Sequence, residues 1–211
     1  MRRRFRCLDR SFLGSRVFPT NLLDVISRED DTTFGILHSR MHELWSLGLG
    51  TWLGVGTDPR YTPSSTFETF PFPDGLAPNV PAESYASDAR ARGIAAAAHL
   101  LNELRENWLN PADLVRCVPE VVPDYPDRIL PIDDAAAKEL KKRTLTNLYN
   151  ERPAWLDHAH RDLDRAVANA YGWNDWDQTL SDDEVLRCLF ALNQERAADQ
   201  QAFRLRDNAL H

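Results

Sequence analysis

Arg60, Tyr61, Thr62, Ser64, Ser65 and Thr66 put six hydrogen-bonding side chains into seven consecutive positions ahead of a candidate strand. Donors of this kind in a loop can grip phosphate oxygens or read base edges, arginine being the commonest partner of guanine. The same Ser, Thr and Pro content is also ordinary turn chemistry. Residue types alone leave both readings open.

Two histidine pairs invite a metal reading. His38 and His42 are four apart, a spacing that sets two imidazoles on one face of a helix. The zinc-protease pattern needs Glu directly after the first histidine, and Ser39 stands there. His38 with Arg40 then reads as part of a polar stripe turned to solvent or to DNA. His158 and His160 are two apart and diverge on a helix, which suits surface or capping roles. The glycine run from Gly48 to Gly56 fits neither the G-x-G-x-x-G spacing nor a P-loop, and reads as a close-approach loop. Cys7, Cys117 and Cys188 are far apart, form no zinc pattern, and are expected to be buried, inert thiols of a reducing cytoplasm.

These groups must be held by elements legible in the spacing of apolar residues. Phe34, Leu37, Met41, Leu44 and Trp45 recur at three and four, which predicts one amphipathic helix ending near Gly48 and Gly50. Asn21 to Asp31 fits a brief strand or a helical turn, and Thr66 to Phe70 a strand. Prolines and Gly75 mark a linker at 76–82, with the main boundary near residue 80. Beyond it, Ile94, Ala97, Leu101, Leu104 and Trp108 line one face of a long helix from about Glu83 to Leu109. Asn110 and Pro111 predict the cap of a further short helix. Val118 to Pro131 reads as a proline-punctuated connection. Three more helices are expected: Asp133 to Tyr149, Ala154 to Tyr171 closed by Gly172, and Asp182 to Ala198 opened by a Ser181/Glu184 capping box. The fold class expected is mainly α: a small α+β part at 21–75, then a helical C-terminal domain of four to five helices at 83–211, with the basic segment 1–20 unassigned.

Of 211 residues, 43% are apolar and the net charge is −7. Residues 1–72 hold 9 basic and 8 acidic side chains, so the deficit lies entirely in the remainder. Any contact with a polyanion belongs mainly to the first third, or to a local patch such as Lys138, Lys141, Lys142 and Arg143. No apolar run reaches membrane-spanning length and Met1 to Arg10 is no secretion signal, so a cytoplasmic protein without a membrane partner is expected.

The stretch DTTFGILHSRMHELW from Asp31 to Trp45, followed by DPRYTPSSTFETFPFP from Asp58 to Pro73, resembles bacterial adenine-N6 DNA methyltransferases of the single-chain type II-L restriction–modification class. A second pair of blocks, LKKRTLTNLYNERPAWL at 140–156 and LDRAVANAYGW at 163–173, is similar to that family's closing helices. The resemblance implies double-stranded DNA as partner and a remnant of a target-recognition domain to about residue 75, ahead of the helical C-terminal domain. Within that reading, loop position and donor content select His38, Arg40, Arg60, Tyr61, Thr62, Ser64, Ser65 and Thr66 as the candidate DNA-facing residues, with Arg60 the candidate base reader. In the complete enzyme of this family the cofactor is S-adenosylmethionine. Here Asp58-Pro59-Arg60-Tyr61 departs by Arg60 from the Asp/Asn-Pro-Pro-Tyr tetrapeptide of amino-methyltransferases, and the glycine-rich cofactor loop is missing, so catalytic and cofactor residues are expected to be none. The chain alone is expected to be inactive, its partner being a methyltransferase core encoded separately. The alternatives from other classes are a helical protein-interaction module, for which the acidic second half with Trp155, Trp173 and Trp176 argues, and a non-functional gene remnant.

Overall fold

A computed structural model describes residues 24–53, 58–122, 127–174, 176 and 180–208, without the side chains of Leu53, Asp58 and 203–208. The segment 1–20, Cys7, Gly54, Gly56, Pro123 and Pro126 lie outside the described residues. The described residues form eight α-helices, a 3-10 helix at Ala82–Tyr85 and two separate two-stranded antiparallel sheets.

Asp30 opens the first helix, α1 (Asp31–His38), by accepting the Thr33 amide at 2.8 Å. The single helix expected across Phe34 to Trp45 breaks at Ser39, whose backbone is extended and whose hydroxyl donates to Ile36 O at 2.7 Å. A serine that hydrogen-bonds to its own neighbours offers the chain an alternative to helix. A second helix, α2 (Arg40–Leu49), starts directly after it.

Helix α1 is buried along almost its whole length because it lies against α4 (Ala89–Leu109) and α7 (Ala154–Ala170). Gly35 sits at the contact: a Cβ there would meet Ile94 Cγ2 at 2.7 Å, Ala98 Cβ at 2.9 Å and Leu163 Cδ1 at 3.1 Å. Val185 and Leu189 of the long C-terminal helix α8 (Asp182–Asn208) are buried in the same core, and α8 packs along α2. One cluster of buried residues therefore runs from Phe34 through Phe72, Leu76 and Tyr85 to Leu189, continuous across the boundary expected near residue 80. Leu76, inside the expected linker, is fully buried.

Several elements differ from expectation for local reasons. Residues Thr66 to Phe70 are not a strand; a short helix, α3 (Pro63–Thr66), occupies their start, with Pro63 at its first turn. Asn110 ends α4 rather than opening a helix. The expected loop connection instead carries an antiparallel pair, β3 (Val115–Val118) and β4 (Arg128–Pro131), with Cys117 opposite Ile129. The helix expected from Asp133 to Tyr149 is two, α5 (Asp134–Leu140) and α6 (Leu145–Glu151), because Thr144 caps the second by accepting the Asn147 amide at 3.2 Å. Cys117 and Cys188 are exposed, not buried, so neither thiol is shielded by the core. The Ser181/Glu184 box forms as expected: Ser181 N donates to Glu184 Oε2 at 2.8 Å and Glu184 N to Ser181 Oγ at 3.3 Å. No helix among the described residues is long and apolar enough to cross a membrane.

Candidate functional site

The residues between α2 and α3 form a two-stranded ribbon, β1 (Thr51–Leu53) and β2 (Asp58–Arg60), with Thr51 opposite Arg60 and Trp52 opposite Pro59. Its base is set by Gly50, which ends α2 through a 2.9 Å bond from its amide to Ser46 O. A Cβ on Gly50 would lie 2.5 Å from Ser46 O and 2.9 Å from Arg60 O, so only glycine lets helix and strand approach this closely.

Below the ribbon the hydroxyl residues are spent on structure. Thr62 O accepts the Thr66 amide and hydroxyl, the latter at 2.8 Å, and Ser65 Oγ donates to Leu49 O and Thr62 O at 3.2 Å each. Thr62 Oγ1 lies 3.4 Å from Thr51 Oγ1. Tyr61 reaches inward, its hydroxyl 3.3 Å from Nε2 of the buried His42, which packs edge-on against Phe70.

Of the eight residues expected to face DNA, six lie at the ribbon and divide three ways. Arg60 and Ser64 are exposed; Tyr61, Thr62 and Ser65 are half-buried at the base of the ribbon; Thr66 is fully buried. His38 and Arg40 lie elsewhere. His38 is buried between Phe34 O, 3.1 Å from its Nδ1, and the Arg105 guanidinium, 3.0 Å from its Nε2. Because arginine can only donate, Nε2 accepts and Nδ1 carries the proton toward Phe34 O. Arg40 joins three helices: its amide donates to Asp164 of α7 at 2.8 Å, and its guanidinium to Asp182 of α8 at 2.8 Å and to Leu180 O at 2.7 Å. It also lies over the Trp176 ring at 5.7 Å.

Sequence reasoning passed over Trp52, which is 49% exposed on the ribbon. The signal was present as an aromatic between glycines with a proline a few residues on, but the glycine run masked a strand too short for alternation to register. Trp155, Trp173 and Trp176 pack against the core, Trp173 stacked between Tyr171 and Trp176. Among the described residues no cluster of His, Cys, Asp and Glu has the geometry of a metal site.

No family model matches the chain, and no curated protein matches it. Among solved structures its fold is shared with part of a restriction–modification enzyme. That structure is the type IIL restriction–modification enzyme MmeI in complex with DNA, matched with a TM-score of 0.51 and 22% identity over 82% of this chain. The match takes in 17% of the MmeI chain, so this chain spans less than a fifth of that protein's length.

Proposed function

We propose that the chain is the DNA target-recognition and C-terminal part of a site-specific adenine-N6 DNA methyltransferase of a restriction–modification system, acting with a catalytic core outside these residues. The observation that carries this reading is the fold shared over 82% of the chain with a restriction–modification enzyme whose structure was solved with DNA. The exposed Arg60 on a ribbon of the least acidic third of the chain supports it, since a polyanion is met by cationic side chains.

Among the described residues, the glycine run from Gly48 does not have the setting of an S-adenosylmethionine loop. A glycine-rich cofactor loop leads from a strand into a helix, whereas the Gly48 to Gly56 run begins at a helix end and enters a two-stranded ribbon. Binding of the methyl donor and transfer of the methyl group therefore belong, in this proposal, to the separate core, and recognition belongs to this chain.

Titration of a fluorescent pool of random-sequence duplexes with the purified chain tests the reading. Affinity that drops steeply as salt rises is the expected result, because phosphate neutralisation releases counterions. Absence of duplex binding at low salt would overturn it, and binding to a protein partner that persists at high salt would favour the interaction-module alternative. Arg60→Ala is expected to cost about 1 to 3 kcal/mol if Arg60 meets a base. Unchanged affinity and sequence preference would remove Arg60 from the interface.

A further inference from the structure

Trp52 and Arg60 stand on opposite faces of the ribbon. Neighbours along a strand point to opposite sides, so Trp52 faces away from Thr51. Directly opposed residues share a side, so Arg60, paired with Thr51, lies on Thr51's face. Thr51 and Arg60 are exposed on one side, and Trp52 is 49% exposed on the other. Its cross-strand partner Pro59 brings no amide hydrogen to the ladder.

A two-stranded hairpin is marginal in water unless something covers it. Here the base is held by the Gly50 contact and the Ser65 bond to Leu49 O, while Thr51 and Arg60 on one face and Trp52 on the other remain exposed. The occupant must accept a large apolar ring on one side and a cation on the other. The major groove of B-DNA, roughly 12 Å wide, admits a two-stranded ribbon and offers thymine methyls and sugar edges alongside guanine acceptors and phosphates. The fold shared with an enzyme solved in complex with DNA favours duplex as that occupant.

We propose that this ribbon enters the major groove of double-stranded DNA with Trp52 as an apolar contact on the wall opposite the one Arg60 addresses. The inference rests on the DNA-recognition reading above and adds to it a second contact face and a residue, Trp52, that works without charge.

Charge makes the two faces separable by experiment. The whole chain, with Trp52→Ala, Trp52→Phe and Arg60→Ala variants, would be titrated with random-sequence duplex across a salt series, with thermal unfolding of each variant followed in parallel. Trp52→Ala is expected to weaken binding about tenfold at every salt concentration with the salt slope unchanged. Trp52→Phe should recover most of that loss, and Arg60→Ala should reduce the slope by about one phosphate equivalent if its contact is to a phosphate. If Trp52→Ala binds like the parent chain, this inference is overturned while DNA recognition stands. If the parent chain binds no duplex, DNA recognition itself falls and takes the inference with it. A Trp52→Ala variant whose binding loss tracks a lowered unfolding temperature, unrescued by Phe, would make Trp52 a structural residue and also overturn the proposal.

Discussion

His160 and Asp164 lie one turn apart on α7, and burial moves their ionisation in opposite directions because it penalises whichever form is charged. Burial, reinforced by the positive charges of Arg105 and Arg152, pushes His160 down to about 4, with its Nε2 2.9 Å from the Tyr149 hydroxyl. Burial, reinforced by the negative charge of Glu43, pushes Asp164 up to about 7 against the opposing hydrogen bond from the Arg40 amide. As pH falls from 6.5 towards 4, the unfolded chain takes up a histidine proton that the folded chain refuses, so His160 lowers stability in that window, by at most about 3 kcal/mol. Asp164 acts the other way: its folded carboxyl keeps a proton up to about 7, so its contribution is present at low pH and is lost as pH rises from 3.8 through 7. The overlapping windows of opposite sign flatten the profile of the parent chain. His160→Phe should therefore leave a protein that gains stability as pH drops from 7 to 4, and Asp164→Asn one that loses it. Denaturation midpoints across pH 4 to 8 decide this, and slopes of the same sign in both variants would contradict it.

At the scale of elements, close approach governs what the chain tolerates. Gly35 brings α1 against α4 and α7 with no room for a methyl group. Gly35→Ala should cost about 1 to 3 kcal/mol through overpacking, even though alanine is the better helix former. A thermal midpoint equal to or above that of the parent chain would show that the helices can separate freely. Helix ends were readable where a cap lies within one turn: Gly172, with φ at 77°, closes the turn after α7, and Ser181 with Glu184 opens α8. The breaks at Ser39 and Thr144 were missed because apolar periodicity runs on past them. Their side chains divert the backbone locally without disturbing the pattern of buried residues.

For the whole molecule, the continuous core joining Phe72, Leu76 and Leu101 to Leu189 predicts one cooperative unfolding transition. Helix content and tryptophan fluorescence, followed through the same denaturant titration, should give coincident curves. Two separated transitions would instead support independent units divided near residue 80.

The helical character beyond residue 83, the amphipathic face through Ile94, Leu101 and Trp108, and the caps of α7 and α8 were determined by sequence alone. Those signals act within a few residues of one another. Tertiary structure decided which polar side chains remain available. His38 and Thr66 look like surface residues in sequence yet are buried, and Arg40 is consumed in joining α2, α7 and α8, while Trp52, unremarked in the sequence, stands half in solvent. The physical reason is that burial depends on what packs against a residue, and for His38 and Arg40 the partners come from α4, α7 and α8, far along the chain.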